Sequence, residues 1–402
     1  MAGSLTQVNI DHANALRILS DLIAIPTVNP MGHPYHGDHP VERDALNYIQ
    51  NLFSPYEIDT RRSQCSPIHE SLILTVPGEC NEAITLLESH VDTVPAEDWL
   101  ARAFQPRLDG HRVFGRGACD DKGCLTAMIL AMLAILESGR KPPLQVVLLA
   151  AGDEELNQLG IKEFVSANPP LARAIVGEPT QCLPVLQHKG TIRWDIVITG
   201  RSAHSAQPEL GIDAIQGAWH VCQALKEYQT KLRAQHHSPF MTGPTLSVTA
   251  IRGGRTRNAI ADDCVLSVDF RIIPGMHPSQ ARDTLAAHLE LLRRDDSTPL
   301  GRLGVGIHHR EPQIATPALQ TAPEDPFSQI VLKECREFLN RPELEFIAAP
   351  YCTDAAWVSD RCPTLVLGPG SIAQAHAVDE WIDLDEVVQC AKLYQRIVMT
   401  QP

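Results

Sequence analysis

The chain has 402 residues, 44% hydrophobic and 20% charged, a composition that fits two or three folded domains and excludes general disorder. Its 34 Lys and Arg face 48 Asp and Glu, for a net charge of −14. So acidic a chain has neither the basic footprint of a nucleic-acid binder nor the basic amphipathic arm of a membrane-surface protein.

Asp11, Arg17 and Asp21 interrupt the N-terminal apolar residues, which argues against a secretory signal. The longest nearly apolar run, Leu125 to Leu136, is shorter than the roughly 20 residues of a spanning helix. No membrane partner and a cytoplasmic location are therefore expected. Eleven cysteines without a CxxC pair read as reduced thiols rather than a disulfide framework.

In chain order, Ala83–Leu87, Leu144–Ala150, Ala174–Gly177 and Thr364–Leu367 read as β-rich runs, each leading into a loop or helix. That rhythm predicts an α/β domain with a mainly parallel sheet. The Leu125–Leu136 run is apolar nearly all round and predicts a helix buried on that sheet. The middle of the chain differs. Ile192, Trp194, Ile196 and Ile198 alternate, as do Leu266, Val268, Phe270 and Ile272, which predicts half-buried strands. A helix over Asp213–Arg233, a strand over Thr245–Arg252, a helix capped at Ser279 and a strand over Leu303–Ile307 complete the set. The order β-α-β-β-α-β is ferredoxin-like. Residues 189–307 are thus expected to form an inserted domain, with 1–188 and 308–402 forming a discontinuous α/β domain.

Ligands of open α/β sheets bind outside the carboxyl ends of the strands, where this chain places its unusual polar residues. The first strand runs into Ser89-His90-Val91-Asp92, and Gly115-Arg116-Gly117-Ala118-Cys119-Asp120-Asp121 precedes the apolar helix. Later strands end in Asp153-Glu154-Glu155, in Glu178-Pro179-Thr180 and in Gly368-Pro369-Gly370, the last followed by His376. Clustered carboxylates need a cation. Histidine with carboxylate and no thiolate pair suits zinc or a similar divalent metal. Five candidate ligands exceed one tetrahedral site and fit a bridged metal pair better.

Each piece alone has a plainer reading: histidine and aspartate cap turns, and acidic residues complement helix N-termini. Their joint occurrence at consecutive strand ends favours a metal site. The pairs His236-His237 and His308-His309 lack such placement and read as surface residues. Neither GxGxxG, GxxxxGK nor GxSxG is present, so dinucleotide, P-loop and serine-hydrolase chemistries fail at the motif level.

The segments SHVDTVP, GRGACDDKG, GDEE, GEPT, GRSAHSA, RTRNAI, VDFRIIPG and GPGSIAQAHAVDE together resemble the M20 metallopeptidase family of dinuclear zinc amidohydrolases. The last segment is most similar to the acetylornithine deacetylase and succinyl-diaminopimelate desuccinylase branch. The resemblance implies a zinc-binding α/β domain and an inserted lid domain that dimerises. It implies two Zn2+ per subunit, with Co2+ or Mn2+ as alternatives: His90 and Glu178 on one ion, Glu155 and His376 on the other, and Asp120 bridging. Asp92 would orient His90 by accepting its second ring N–H, and Glu154 would be the general base. His204 would stabilise the oxyanion in a partner subunit's site, and Asn258 and Arg271 would engage the substrate carboxylate. A cis peptide after Asp120 is also implied. Asp121 and Cys119 depart from the usual family residues without removing a ligand. The implied reaction removes an acyl group, expected to be acetyl, from an N-acyl amino acid such as N-acetyl-L-ornithine. Dipeptidase, carboxypeptidase or N-succinyl deacylase activity is the alternative.

Overall fold

Period-two alternation decides which side of each strand is covered. In the computed structural model, which describes residues 9–401, Leu72, Leu74, Val146, Leu148 and Ala150 pack on one side of a sheet. Their neighbours Ile73, Val147, Leu149 and Ala151 pack on the other. Both faces are apolar, as expected for a sheet covered on both sides.

Six of the nine strands of this sheet run in the order Asp59–Gln64, Glu70–Val76, Leu144–Ala151, Cys80–His90, Leu171–Val176, Thr364–Val366. Cys80–His90 pairs in parallel with both Leu144–Ala151 and Leu171–Val176, and Leu171–Val176 in parallel with Thr364–Val366. Antiparallel pairing flanks this parallel core, with Asp59–Gln64 and Glu70–Val76 on one side and Val185 against Val366 on the other. Parallel pairing brings the carboxyl ends of the central strands to one rim. The Lys122–Ser138 helix is buried over most of its length, packs with the His12–Ala24 and Leu384–Met399 helices, and ends at Gly139 in the left-handed region (φ +64), where glycine is favoured.

Two units divide the chain. One takes residues up to Leu186 with Thr321–Ile347 and the chain from Thr353 onward; the other takes Gln187–Gln320 and Ala348–Cys352. The second unit has its own core, with Ile192, Trp194, Ile196 and Ile198 of the Gly190–Thr199 strand facing the helices Ala214–Gln235 and Pro278–Arg294. Its antiparallel sheet runs Thr245–Gly253, Asp263–Ile272, Gly190–Thr199, Gly306–His309, so the β-α-β-β-α-β order is present. This unit extends beyond residue 307 because Ile314–Thr316 adds a further pairing to Gly190–Thr199.

Three local expectations shift. The second helix is capped by His277, not Ser279, because Pro278 pre-sets the first helical φ and has no N–H to lose. Leu303 closes a short helix, Pro299–Leu303, and the strand starts at Gly306 after the left-handed Gly304 (φ +67). His309 is half-buried rather than on the surface, its Nδ1 accepting from the Trp194 indole at 3.1 Å. All eleven cysteines are free. No described helix is long and apolar enough to cross a membrane.

Candidate metal centre

Five chain segments deliver the acidic and histidine side chains to the rim of the larger unit. His90 is the last residue of the central strand Cys80–His90. Asp120 precedes the buried helix, and its peptide to Asp121 is cis. Glu154 and Glu155 follow Asp153, which holds a left-handed φ of +63 at the end of Leu144–Ala151. Glu178 follows Leu171–Val176. His376, also left-handed (φ +60), lies in the loop after Thr364–Val366. That loop packs tightly: a Cβ on Gly368 would lie 2.5 Å from both the Cys124 sulfur and the Glu178 carbonyl oxygen.

Asp120 sits between the two histidines with one oxygen toward each. Its Oδ1 is 3.0 Å from His90 Nε2 and its Oδ2 3.3 Å from His376 Nε2. His376 Nε2 is also 3.2 Å from Glu155 Oε2, while Glu155 Oε1 accepts the Val94 N–H at 3.1 Å. Ligand atoms of His90, Asp120 and Glu155 lie within 4.8 Å of one another, as do those of His90, Glu154 and Glu178.

The electrostatics of this cluster are those of a cation site. Hydrogen bonds to Asp120 and Glu155 push His376 up to about 10. Burial opposes a charge on His90, yet Asp120 and Asp92 hold it well above its ordinary value. Burial would raise Asp120, but hydrogen bonds from His376 and His90 draw it below the usual carboxylate range. Glu154 and Glu178 are driven well upward, first by burial and then by the neighbouring charges. A divalent metal would supply positive charge to such a set and displace protons on binding. The donor set, two imidazoles with carboxylates and no thiolate, fits zinc, cobalt or manganese.

The support around these residues was not apparent from the motifs. The Nδ1 of His90 meets the backbone carbonyl of Asp92 at 2.9 Å, whereas the Asp92 carboxylate is 3.7 Å away. Both polar groups of Asp92 thus face the His90 imidazole, the carbonyl at hydrogen-bond distance and the carboxylate at ion-pair distance. The carboxylate also accepts the Glu154 N–H at 3.0 Å, the Glu155 N–H at 3.3 Å and the Asn29 amide at 2.8 Å. Glu380 is wholly buried and accepts the backbone N–H groups of Gly117, Cys119 and Asp120 as well as Arg116. Gln158 approaches the candidate base, its Nε2 being 3.4 Å from Glu154 Oε1 while Trp357 donates to its Oε1. Lys122 is fully buried, brought by burial to about 7, and donates to the carbonyls of Leu22 and Ile25. Glu380, four residues after His376, and Lys122, two after Asp120, stand in segments already marked as motifs; Asn29 and Gln158 had no such signal.

His204, Asn258 and Arg271 lie in the smaller unit. His204 is exposed, its Nδ1 accepting the Ala206 N–H at 3.1 Å. The Asn258 carbonyl accepts the Ser205 N–H, so these two loops meet. Arg271 is forked onto Asp269, Nε–Oδ1 at 2.8 Å and Nη2–Oδ2 at 3.2 Å, so the guanidinium expected to meet a substrate carboxylate already holds an internal one.

Residues 86–400 match the model of peptidase family M20/M25/M40. The chain belongs to peptidase family M20. As an M20 member it is a metal-dependent hydrolase of amide bonds. It is 34% identical over 319 residues to acetylornithine deacetylase of Yersinia pseudotuberculosis, covering 78% of each chain. To the acetylornithine deacetylase of Vibrio vulnificus it is 34% identical over 347 residues, 85% of this chain and 87% of that one. In fold it is similar to a Staphylococcus aureus tripeptidase (TM-score 0.75, 17% identity, 97% and 98% of the chains covered). It is likewise similar to a dinuclear metal-binding M20 peptidase of Bacillus subtilis (TM-score 0.67, 15% identity, 96% and 97% covered).

Proposed function

We propose that this M20 chain is a dinuclear, zinc-dependent deacylase of N-acyl amino acids, with N-acetyl-L-ornithine as its first candidate substrate. The observation that carries the dinuclear reading is Asp120, whose two oxygens turn toward two different histidines. His90 and Glu178 would hold one ion, Glu155 and His376 the other, and Asp120 would bridge. Bound metal would supply Lewis-acid activation of water and charge for the developing oxyanion.

Glu154 is the general base in this reading. Its carboxylate is held high by burial and by nearby charge, which suits a group that must take a proton and give it back near neutral pH. Glu154 accepts the proton of the attacking water and passes it to the departing amine nitrogen, while the carbonyl–nitrogen bond breaks. Gln158 steadies Glu154 from one side, and Asp92 anchors its backbone N–H. His204 is assigned to the oxyanion, offered by a second copy of the chain in a homodimer. Asn258 and Arg271 are assigned to the substrate carboxylate, with Arg271 sharing its guanidinium with Asp269. The acetyl preference draws its support from the deacetylase relatives at 34% identity.

The experiment is amine release from N-acetyl-L-ornithine by zinc-loaded protein, with a chelator-treated control. Chelator-sensitive turnover is expected. Turnover of N-succinyl, N-formyl or dipeptide amides alone would reject the acetyl assignment and keep the metal chemistry; turnover that survives metal removal would reject both.

A further inference from the structure

We propose that Asn29 is a positioning residue for this reaction: its side-chain amide, buried between Asp92 and Asp153, donates one hydrogen to each and so fixes the turn that carries Glu154 and Glu155. The inference rests on the reading of Glu154 as base and Glu155 as metal ligand.

Asn29 is fully buried. Its Nδ2 lies 2.8 Å from Asp92 Oδ2 and 2.9 Å from Asp153 Oδ1. Its Oδ1 accepts the Met31 N–H, and its own N–H donates to the Thr93 carbonyl, so the amide cannot turn over without losing bonds on both ends. A primary amide is the neutral group that offers two hydrogens from one atom. A carboxylate in its place would add a third anion, and a methyl group would leave two buried acids facing each other.

From this fork the constraint reaches the functional glutamates along two paths. Asp92 accepts the backbone N–H groups of Glu154 and Glu155. Asp153 supplies the left-handed residue of the turn, its carbonyl accepting the Gln158 N–H at 2.6 Å and its Oδ2 the Asn157 amide at 3.0 Å. Behind Asp153 stands a second support. His69 Nε2 is 3.4 Å from Asp153 Oδ1, and His69 Nδ1 is 2.7 Å from Glu42 Oε1. The other Glu42 oxygen accepts the Glu70 N–H at 3.0 Å, which ties the row to the Glu70–Val76 strand of the sheet. Glu42, His69, Asp153, Asn29 and Asp92 thus form one buried polar row ending on the backbone of two site residues. A left-handed φ at an aspartate persists only when its surroundings over-determine it, and this row does so.

The test uses the full chain with Asn29→Ala, Asn29→Ser and His69→Gln, and Leu19→Ala as a core variant remote from the rim. Metal-free protein is titrated with Co2+ by calorimetry and visible absorption, and kcat and KM are measured on the best amide substrate. Asn29→Ala is expected to lower kcat by about 10- to 100-fold with KM changed less than about twofold, and to weaken one of the two metal-binding steps by a similar factor. Asn29→Ser, with one donor, falls between wild type and alanine. His69→Gln, which loosens Asp153 without touching Asn29, gives the same pattern more weakly. Leu19→Ala lowers Tm and leaves kcat and both metal steps in place. Wild-type kcat and metal binding in the Asn29 variants, or losses no larger than those of Leu19→Ala at equal Tm, would overturn the positioning role alone. Wild-type protein that binds no Co2+ would remove the metal reading and this inference with it.

Discussion

Replacing Glu380 by glutamine exchanges one oxygen for an NH2 group at a point where four donors converge. Oε1 accepts Cys119 N at 2.8 Å and Asp120 N at 2.9 Å; Oε2 accepts Gly117 N at 3.0 Å and Arg116 Nη1 at 2.6 Å. Whichever way the new amide turns, two N–H groups face a donor in place of an acceptor. If the oxygen faces Cys119 and Asp120, the Arg116 guanidinium, itself 3% exposed, loses its carboxylate. Removing one partner of a buried ion pair costs about 3–5 kcal/mol, a large part of the roughly 5–15 kcal/mol by which a domain is stable. At roughly 2–4 °C per kcal/mol for units of this size, Tm should fall by roughly 6–20 °C. Because the same loop carries Asp120, metal affinity should also fall by about 10- to 100-fold. Scanning calorimetry of the metal-free protein and a zinc titration read the two effects separately. A Tm within about 2 °C of wild type with unchanged affinity would mean the 117–120 loop keeps its shape without the carboxylate, and the reasoning would fail.

Glu154→Gln should keep the bound metal and lose about 10²- to 10⁴-fold in kcat; metal analysis beside steady-state rates checks this, and near-normal turnover would remove Glu154 as the base. Leu130→Ala, inside the helix buried on all sides, should cost about 2–5 kcal/mol in a denaturant titration, and a loss below about 1 kcal/mol would contradict the packing described. The His69–Glu42 pair predicts a pH dependence. Burial alone would lower His69, but its bond to Glu42 and the charges of Glu42, Asp153 and Asp92 together raise it. The folded protein then holds this proton more tightly than the unfolded chain, so the stabilisation is complete below about pH 6.5 and is lost as pH rises through the higher folded value. The Tm difference between wild type and His69→Gln should shrink from about pH 6.5 upward; a gap that widens would refute the assignment.

Much of the fold and of the candidate site could be read from local pattern. Alternation in Gly190–Thr199 and Asp263–Ile272 marks their buried faces directly, and the all-apolar 125–136 run marks a helix without a solvent face. His90, Glu155 and Glu178 stand at or just past strand ends, and Asp120 and His376 lie in loops at the same rim. Contacts that join distant segments left no local trace. Glu380 meets the backbone of Gly117 across 263 residues of chain, and Asn29 meets Asp153 across 124. The Asp92 carboxylate stands two residues from His90, but accepting three N–H donors as well, from Asn29, Glu154 and Glu155, is a task that spacing does not reveal. Arg271 likewise has the composition of a carboxylate binder, yet its register on the strand places Asp269 on the same face, two residues back.

The family match begins at residue 86, but the molecule tolerates no such beginning. The carbonyls of Leu22 and Ile25 are the acceptors for the buried Lys122 ammonium, and the Glu70–Val76 strand closes the flank of Leu144–Ala151. A fragment trimmed to the matched region would strand that ammonium in an apolar interior and bare a long hydrophobic strand edge, the template on which chains pair and precipitate. Expression boundaries should therefore be drawn ahead of the His12–Ala24 helix, and a protease cut between that helix and residue 86 should end in aggregation rather than in a smaller working enzyme.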